Sequence, residues 1–178
     1  MTYDPETHTY FDASGARLPS VTQILQAAGL CGDPRFYRAG SADRGSRVHL
    51  ALEEIVKYGD TILDDEEIRP YVDSFREWLA KLSPRPIQAE VKVEGSDPIP
   101  YAGTVDLLPE GMLIDYKTGS PASWHRVQLC AYGLALGLET LGALYLKPGK
   151  PAVLRIVSKA EMEEGRDKWR EACARWAP

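Results

Sequence analysis

Residues 101–119 read YAGTVDLLPEGMLIDYKTG, and two features of this stretch decide the reading of the chain. Residues 101–108 and 112–117 are apolar runs, and Pro109-Glu110-Gly111 between them supplies a turn, so the pattern predicts two adjacent antiparallel strands. Each strand carries one acid among apolar neighbours: Asp106 between Val105 and Leu107, and Asp115 between Ile114 and Tyr116. A carboxylate in such company is expensive to bury unless something compensates it. Lys117 lies two residues beyond Asp115, so both project to one face of the strand and Lys117 can neutralise part of that charge. The remaining charge calls for a cation, and hard oxygen ligands of this kind suit magnesium or manganese. The plain alternative is structural, with Asp115 paired to Lys117 and Asp106 to an arginine. It must then explain two such carboxylates on neighbouring strands.

Working outward, residues 87–94 alternate Ile87, Ala89, Val91 and Val93 with Gln88, Glu90, Lys92 and Glu94, the period of a strand. On the other side a helix is expected at about 122–138, then strands near 141–147 and 152–157 and a last helix at about 159–176. Toward the N-terminus, Ile68, Val72, Phe75, Leu79 and Leu82 repeat at helical spacing and predict a helix over about 66–82. Val48, Leu52 and Ile55 predict another at about 46–58. Residues 8–12 and 16–18 flank Ala13-Ser14-Gly15 as a small hairpin. Ser20 with Gln23 forms a capping box opening a short helix that ends near Gly29. Strands joined by short turns pair antiparallel, and the strand-helix-strand crossover gives a parallel pair. The expected fold is α/β, a central mixed β-sheet flanked by helices. All 178 residues are read as one domain: hairpin and helix over about 1–30, a core over about 45–158, and a C-terminal helix over about 159–176.

The formal charge of −5 argues against a protein that merely coats DNA, yet leaves room for an enzyme with one local basic surface. The acids Asp60, Asp64, Asp65, Glu66 and Glu67 read as a solvated face at a helix start. Three scattered cysteines, Cys31, Cys130 and Cys173, make no disulfide framework. The N-terminus lacks a signal-peptide pattern and no apolar run is long enough to span a bilayer, so a cytoplasmic protein with no membrane partner is expected.

Two helical pairs complete the set. His49 and Glu53 are four apart and share a face that borders the apolar stripe, where a histidine reads either as a packed core residue or as a ligand. Gln128 and Tyr132 repeat the spacing on the later helix. Gly45-Ser46-Arg47-Val48-His49, Gly103-Thr104-Val105-Asp106, Asp115-Tyr116-Lys117-Thr118-Gly119 and Gln128-Leu129-Cys130-Ala131-Tyr132 follow one another over residues 45–132. In this order they resemble the G-x-x-x-H, G-x-x-D, D-x-K-T-G and Q-x-x-x-Y motifs of the RecB-like branch of the PD-(D/E)XK nuclease superfamily. His8-Thr9-Tyr10 through Pro19-Ser20-Val21-Thr22 is similar to the start of small phage-encoded members. Val105 stands where many relatives have proline.

The resemblance implies a restriction-endonuclease-like core and a residue-by-residue assignment. His49, Asp106, Asp115 and the backbone carbonyl of Tyr116 would hold Mg2+ or Mn2+. Lys117 would orient or help deprotonate the attacking water and stabilise charge on the phosphate. Gln128 and Tyr132 would position Lys117 or the substrate phosphate. Glu90 would support the site, or else be a solvated acid on a strand face; Glu53 is a second supporting candidate. Arg35, Arg38, Arg44 and Arg47, with Tyr37, would contact DNA phosphates, or else form a solvated loop. Relatives with an iron–sulfur cluster need four cysteines and this chain has three, so none is expected. The implied function is a metal-dependent DNA nuclease, an exonuclease in phage or bacterial recombination or repair. It would act on DNA ends or single strands in the bacterial or phage-infected cytoplasm, beside a recombination or replication partner protein. The alternative is a nuclease-fold module that binds nucleic acid without cleaving it. Nothing in the sequence marks an oligomer interface.

Overall fold

The computed structural model of the chain describes residues 1–31, 40–82 and 86–177. Thr2–Asp4 (β1), Thr9–Phe11 (β2) and Arg17–Leu18 (β3) form a small antiparallel sheet, followed by a helix at Val21–Ala27 (α1). Two helices come next, Ser41–Tyr58 (α2) and Arg69–Leu79 (α3). The strands Pro86–Gly95 (β4), Tyr101–Pro109 (β5) and Leu113–Lys117 (β6) precede Ser123–Leu136 (α4). Leu141–Lys147 (β7), Lys150–Ile156 (β8) and Lys159–Ala174 (α5) complete the chain.

β4 to β8 lie side by side in chain order in one five-stranded sheet. β6 and β7 run parallel because α4 carries the chain back between them, while the directly joined neighbours pair antiparallel. The sheet is therefore mixed, as the spacing of its strands predicts. Alternation along β6 and β7 builds two cores. Leu113, Leu141 and Ala143 join Leu129 of α4, Ile24 of α1 and Trp169 of α5 on one face. Ile114, Tyr116 and Leu144 join Leu52 of α2 and Phe75 of α3 on the other. Asp115 and Lys117 share the parity of Leu113 and so belong to the α4 face.

The capping box at α1 forms as its sequence indicates: Gln23 N–H donates to Ser20 Oγ at 3.2 Å, and Ser20 N–H donates to Gln23 Oε1 at 2.9 Å. Three boundaries differ from expectation. β1 carries no alternation of its own and exists by pairing with β2. α2 begins five residues earlier than expected, at Ser41, behind Gly40 in the left-handed conformation at φ 77°. α3 is shorter than its apolar period, with a proline in its first turn. The N-terminal sheet is tied to the large one where Ala102 N–H donates to Pro19 O at 3.0 Å and the Tyr10 and Thr104 hydroxyls meet at 2.7 Å. Among the described residues no helix is long and apolar enough to cross a membrane.

Candidate metal centre and nuclease site

Asp106 and Asp115 are both buried, at 7% and 3% exposure, in the middle of their strands. The first is well provided for. Its Oδ2 accepts the Tyr116 N–H at 2.5 Å, so a backbone donor of β6 is given to a side chain of β5. Its Oδ1 lies 3.2 Å from His49 Nδ1. His49 reaches it from α2, with its ring edge-on to Tyr116 at 5.6 Å. Glu90 arrives from β4, the strand next to β5, with φ of 54°. A non-glycine residue in the left-handed region inside a strand is strained, a feature that recurs where a side chain is aimed at a functional site. His49, Glu90 and Asp106 each offer a donor atom, all within 4.8 Å of one another.

Asp115 stands apart from that trio, and here the structure differs from the ligand set expected from the sequence. Its carboxylate is drawn to Lys117, whose Nζ lies 2.5 Å from Oδ2. Lys117 is thus the polar partner of this otherwise enclosed oxygen. Lys117 also donates to Gln128 Oε1 at 2.7 Å, and Gln128 Nε2 donates to the Tyr132 hydroxyl at 3.2 Å. The residues of the later helix thus act on Lys117 itself. Tyr132 in turn lies on Gly103, where a Cβ would come within 2.4 Å of its ring. Space explains that motif glycine. It does not explain Gly45, where a Cβ would meet Thr118 Oγ1 at an ordinary 3.6 Å.

Electrostatics show a site short of positive charge. Burial pushes Asp115 up to about 6 although Lys117 opposes it. Burial and then the Asp106 charge raise Glu90. For Asp106, burial works upward but the adjoining His49 outweighs it and the carboxyl is held below its usual range. Burial works against the His49 imidazolium, yet contact with Asp106 raises it to about 9. Two carboxylates and a histidine converging near a third, buried carboxylate that a single lysine balances fit a hard divalent cation.

The trio and Lys117 open on a cleft of about 870 Å³ whose walls include Tyr3, His8, Arg44, Glu53 and Trp124. Glu53 shares the His49 face as expected, but its carboxylate is paired with Lys57 and lies outside the trio. Arg44 borders the cleft and pairs with Glu67 at 3.4 Å. Arg47 is bound by Asp43 at 2.9 Å, Glu67 at 2.6 Å and also Asp65, so three carboxylates of its own chain take the guanidinium expected to meet phosphate. The acids at 65 and 67 are correspondingly less a solvated face than partners of α2. Arg35, Arg38 and Tyr37 lie outside the described residues. Trp124 was not singled out by the sequence. The available signal is its place four residues before Gln128 and eight before Tyr132, on one helix face.

The mixed sheet brings Asp106 and Lys117 to one cleft, with the buried Asp115 and a glutamine–tyrosine pair behind Lys117, an arrangement suited to divalent-metal hydrolysis of phosphodiesters. The model of the PD-(D/E)XK nuclease superfamily matches residues 63–177, and the chain belongs to that superfamily, whose nucleases use divalent metal ions. The match takes in Asp106, Asp115, Lys117 and Gln128, while His49 precedes it. Among solved structures, a candidate exonuclease from Eubacterium rectale is similar in fold, with 15% identity, a TM-score of 0.54, and coverage of 89% of this chain and 73% of that one. An alkaline exonuclease from Laribacter hongkongensis is more distant, with 12% identity, a TM-score of 0.40 and coverage of 88% of each chain. No curated protein matches the chain.

Proposed function

We propose that the protein is a Mg2+- or Mn2+-dependent deoxyribonuclease, acting as an exonuclease in recombination or repair. One observation carries the reading: the His49–Glu90–Asp106 trio and Lys117 line one cleft, and Lys117 is backed there by the buried Asp115 and by the Gln128–Tyr132 chain. His49, Glu90 and Asp106 would hold the ion, with Asp115 turning from Lys117 to join them. When bound, the ion supplies Lewis-acid polarisation of a phosphoryl oxygen and a more acidic water. Lys117, held by Gln128, donates to the phosphate oxygen on which negative charge develops and orients the attacking water. Tyr132 keeps the Gln128 amide turned so that its oxygen faces Lys117.

The cleft favours DNA ends or unpaired strands. Among its described lining residues, Arg44 and Lys117 supply the lysine and arginine charge, whereas Tyr3 and His8 offer aromatic faces. Stacking surfaces suit unpaired bases, while duplex binding leans on many phosphate contacts. The intact Asp106, Asp115 and Lys117 favour an enzyme over a module that only binds. End-labelled linear and circular DNA, single- and double-stranded, incubated with protein and manganese tests both points. Expected is cleavage of linear DNA that EDTA abolishes and either metal restores. Cleavage undiminished by EDTA refutes the metal site, and equal cleavage of circles refutes exonuclease action.

A further inference from the structure

We infer that Trp124 is a positioning residue for Lys117, its indole face holding the ammonium in place. The inference rests on the nuclease reading above and adds a residue to it. Lys117 Nζ lies 5.0 Å from the centre of the Trp124 ring, over its face. Its other neighbours are Asp115 Oδ2 at 2.5 Å and Gln128 Oε1 at 2.7 Å. Asp115 is the partner that would leave Lys117 for a metal ion, so in the loaded site the ammonium would rest on Gln128 and Trp124. Both belong to α4 and are four residues apart, which puts them on one face of a single rigid element. A partly desolvated ammonium over indole is the most favourable pairing of this type.

Trp124 is itself braced. Its ring meets His125 edge-to-face at 4.3 Å and 79°. His125 is buried, and its Nδ1 accepts the Ala122 N–H at 3.4 Å. The Ala122 amide can only donate, so Nδ1 carries a lone pair, and the 3.1 Å contact there is a hydrogen bond from the Tyr145 hydroxyl. The neutral imidazole supports the indole without placing a competing cation beside Lys117.

The test replaces Trp124 by Phe and Leu, and by tryptophans carrying one to four ring fluorines. Fluorine weakens the negative face of the ring while keeping its shape. Cleavage at saturating manganese should slow stepwise with each fluorine. Trp124→Leu should lose about tenfold in kcat, Trp124→Phe less, and KM should hold. Wild-type melting temperature across the fluorinated series separates this from a packing defect. A second readout needs no activity: ring current shifts the Lys117 ε-protons upfield in wild type, and Trp124→Leu should return them to the ordinary position. A kcat flat across the fluorinated series, or a loss confined to KM as a base-stacking surface would give, overturns the inference. So does an ε-proton shift unchanged in Trp124→Leu. Absence of cleavage by the wild type under every condition refutes the nuclease reading, and the ε-proton shift then decides the Lys117 contact alone.

Discussion

Replacing Asp115 by asparagine should abolish cleavage and yet raise the melting temperature of the metal-free protein. Asp115 is 3% exposed, and burial lifts its carboxyl from 3.8 to about 6. A folded value above the unfolded one means that the folded chain binds this proton more tightly. The penalty for ionising Asp115 is therefore absent below pH 3.8 and complete above about 6. Asparagine keeps the shape and removes the charge, and the raised value already includes the attraction of Lys117, so the gain is on the order of a few kcal/mol at most. In a chain of this length that corresponds to a rise of several degrees. Scanning calorimetry at pH 8 in EDTA measures it, repeated with manganese and at pH 5. The wild type should melt higher with manganese, and Asp115→Asn should melt higher without it and barely respond. At pH 5 the advantage should shrink, because wild-type Asp115 then takes up a proton. If Asp115→Asn melts several degrees below wild type in EDTA at pH 8, the Asp115–Lys117 pair is a net stabilising salt bridge and the reasoning fails.

Lys117→Ala should abolish cleavage while calorimetric titration still shows manganese binding, since Lys117 is not among the ligands. His49→Ala should weaken manganese binding at least tenfold and also lower the metal-free melting temperature by a few degrees, because Asp106 loses a hydrogen-bond partner in the interior; unchanged manganese affinity would return His49 to the core. Gly103→Ala should destabilise the fold by about 1–3 kcal/mol in urea unfolding and reduce kcat, because the new methyl displaces Tyr132 and through it Gln128. Burial, with Lys117 adding to it, pushes His125 down to about 3, so below pH 6.5 the unfolded chain takes up a proton that the folded chain refuses, and stability falls with pH until about 3. Between pH 6.5 and 5 the wild type should lose about 2 kcal/mol more than His125→Gln in urea unfolding, and equal losses would show that the ring is protonated in the fold.

Much of this fold is written in periodicity. The 4-3-4-3 spacing from Ile68 to Leu82 and the alternation of residues 87–94 each announce an element, and Pro109-Glu110-Gly111 marks the turn where Met112 N–H returns to Pro109 O at 3.1 Å. Elements whose stability comes from a partner are harder to read. β1 has three residues and no pattern, and only its register with β2, Tyr3 opposite Tyr10, makes it a strand. The start of α2 depends on a left-handed backbone at Gly40, which composition alone does not place.

In the site, identity was legible and allegiance was not. Asp106, Asp115 and Lys117 stand out because acids and a lysine interrupt apolar strands, and the structure buries both acids and pairs Asp115 with Lys117. Which groups converge on one point is a matter of cross-strand geometry. Glu90 is a polar-face residue by its alternation, as Lys92 is, and a single backbone angle of φ 54° distinguishes it. Arg47 looks available for phosphate until folding brings Asp65 and Glu67 to it from eighteen and twenty residues away. The same distinction separates the two motif glycines. Gly103 is demanded by a ring from a helix that begins twenty residues later, whereas nothing within packing distance demands Gly45. A sequence motif records which residues a site uses. The strain at Glu90, the buried charge of Asp115 and the crowding on Gly103 locate where the fold gives up local stability to bring them together.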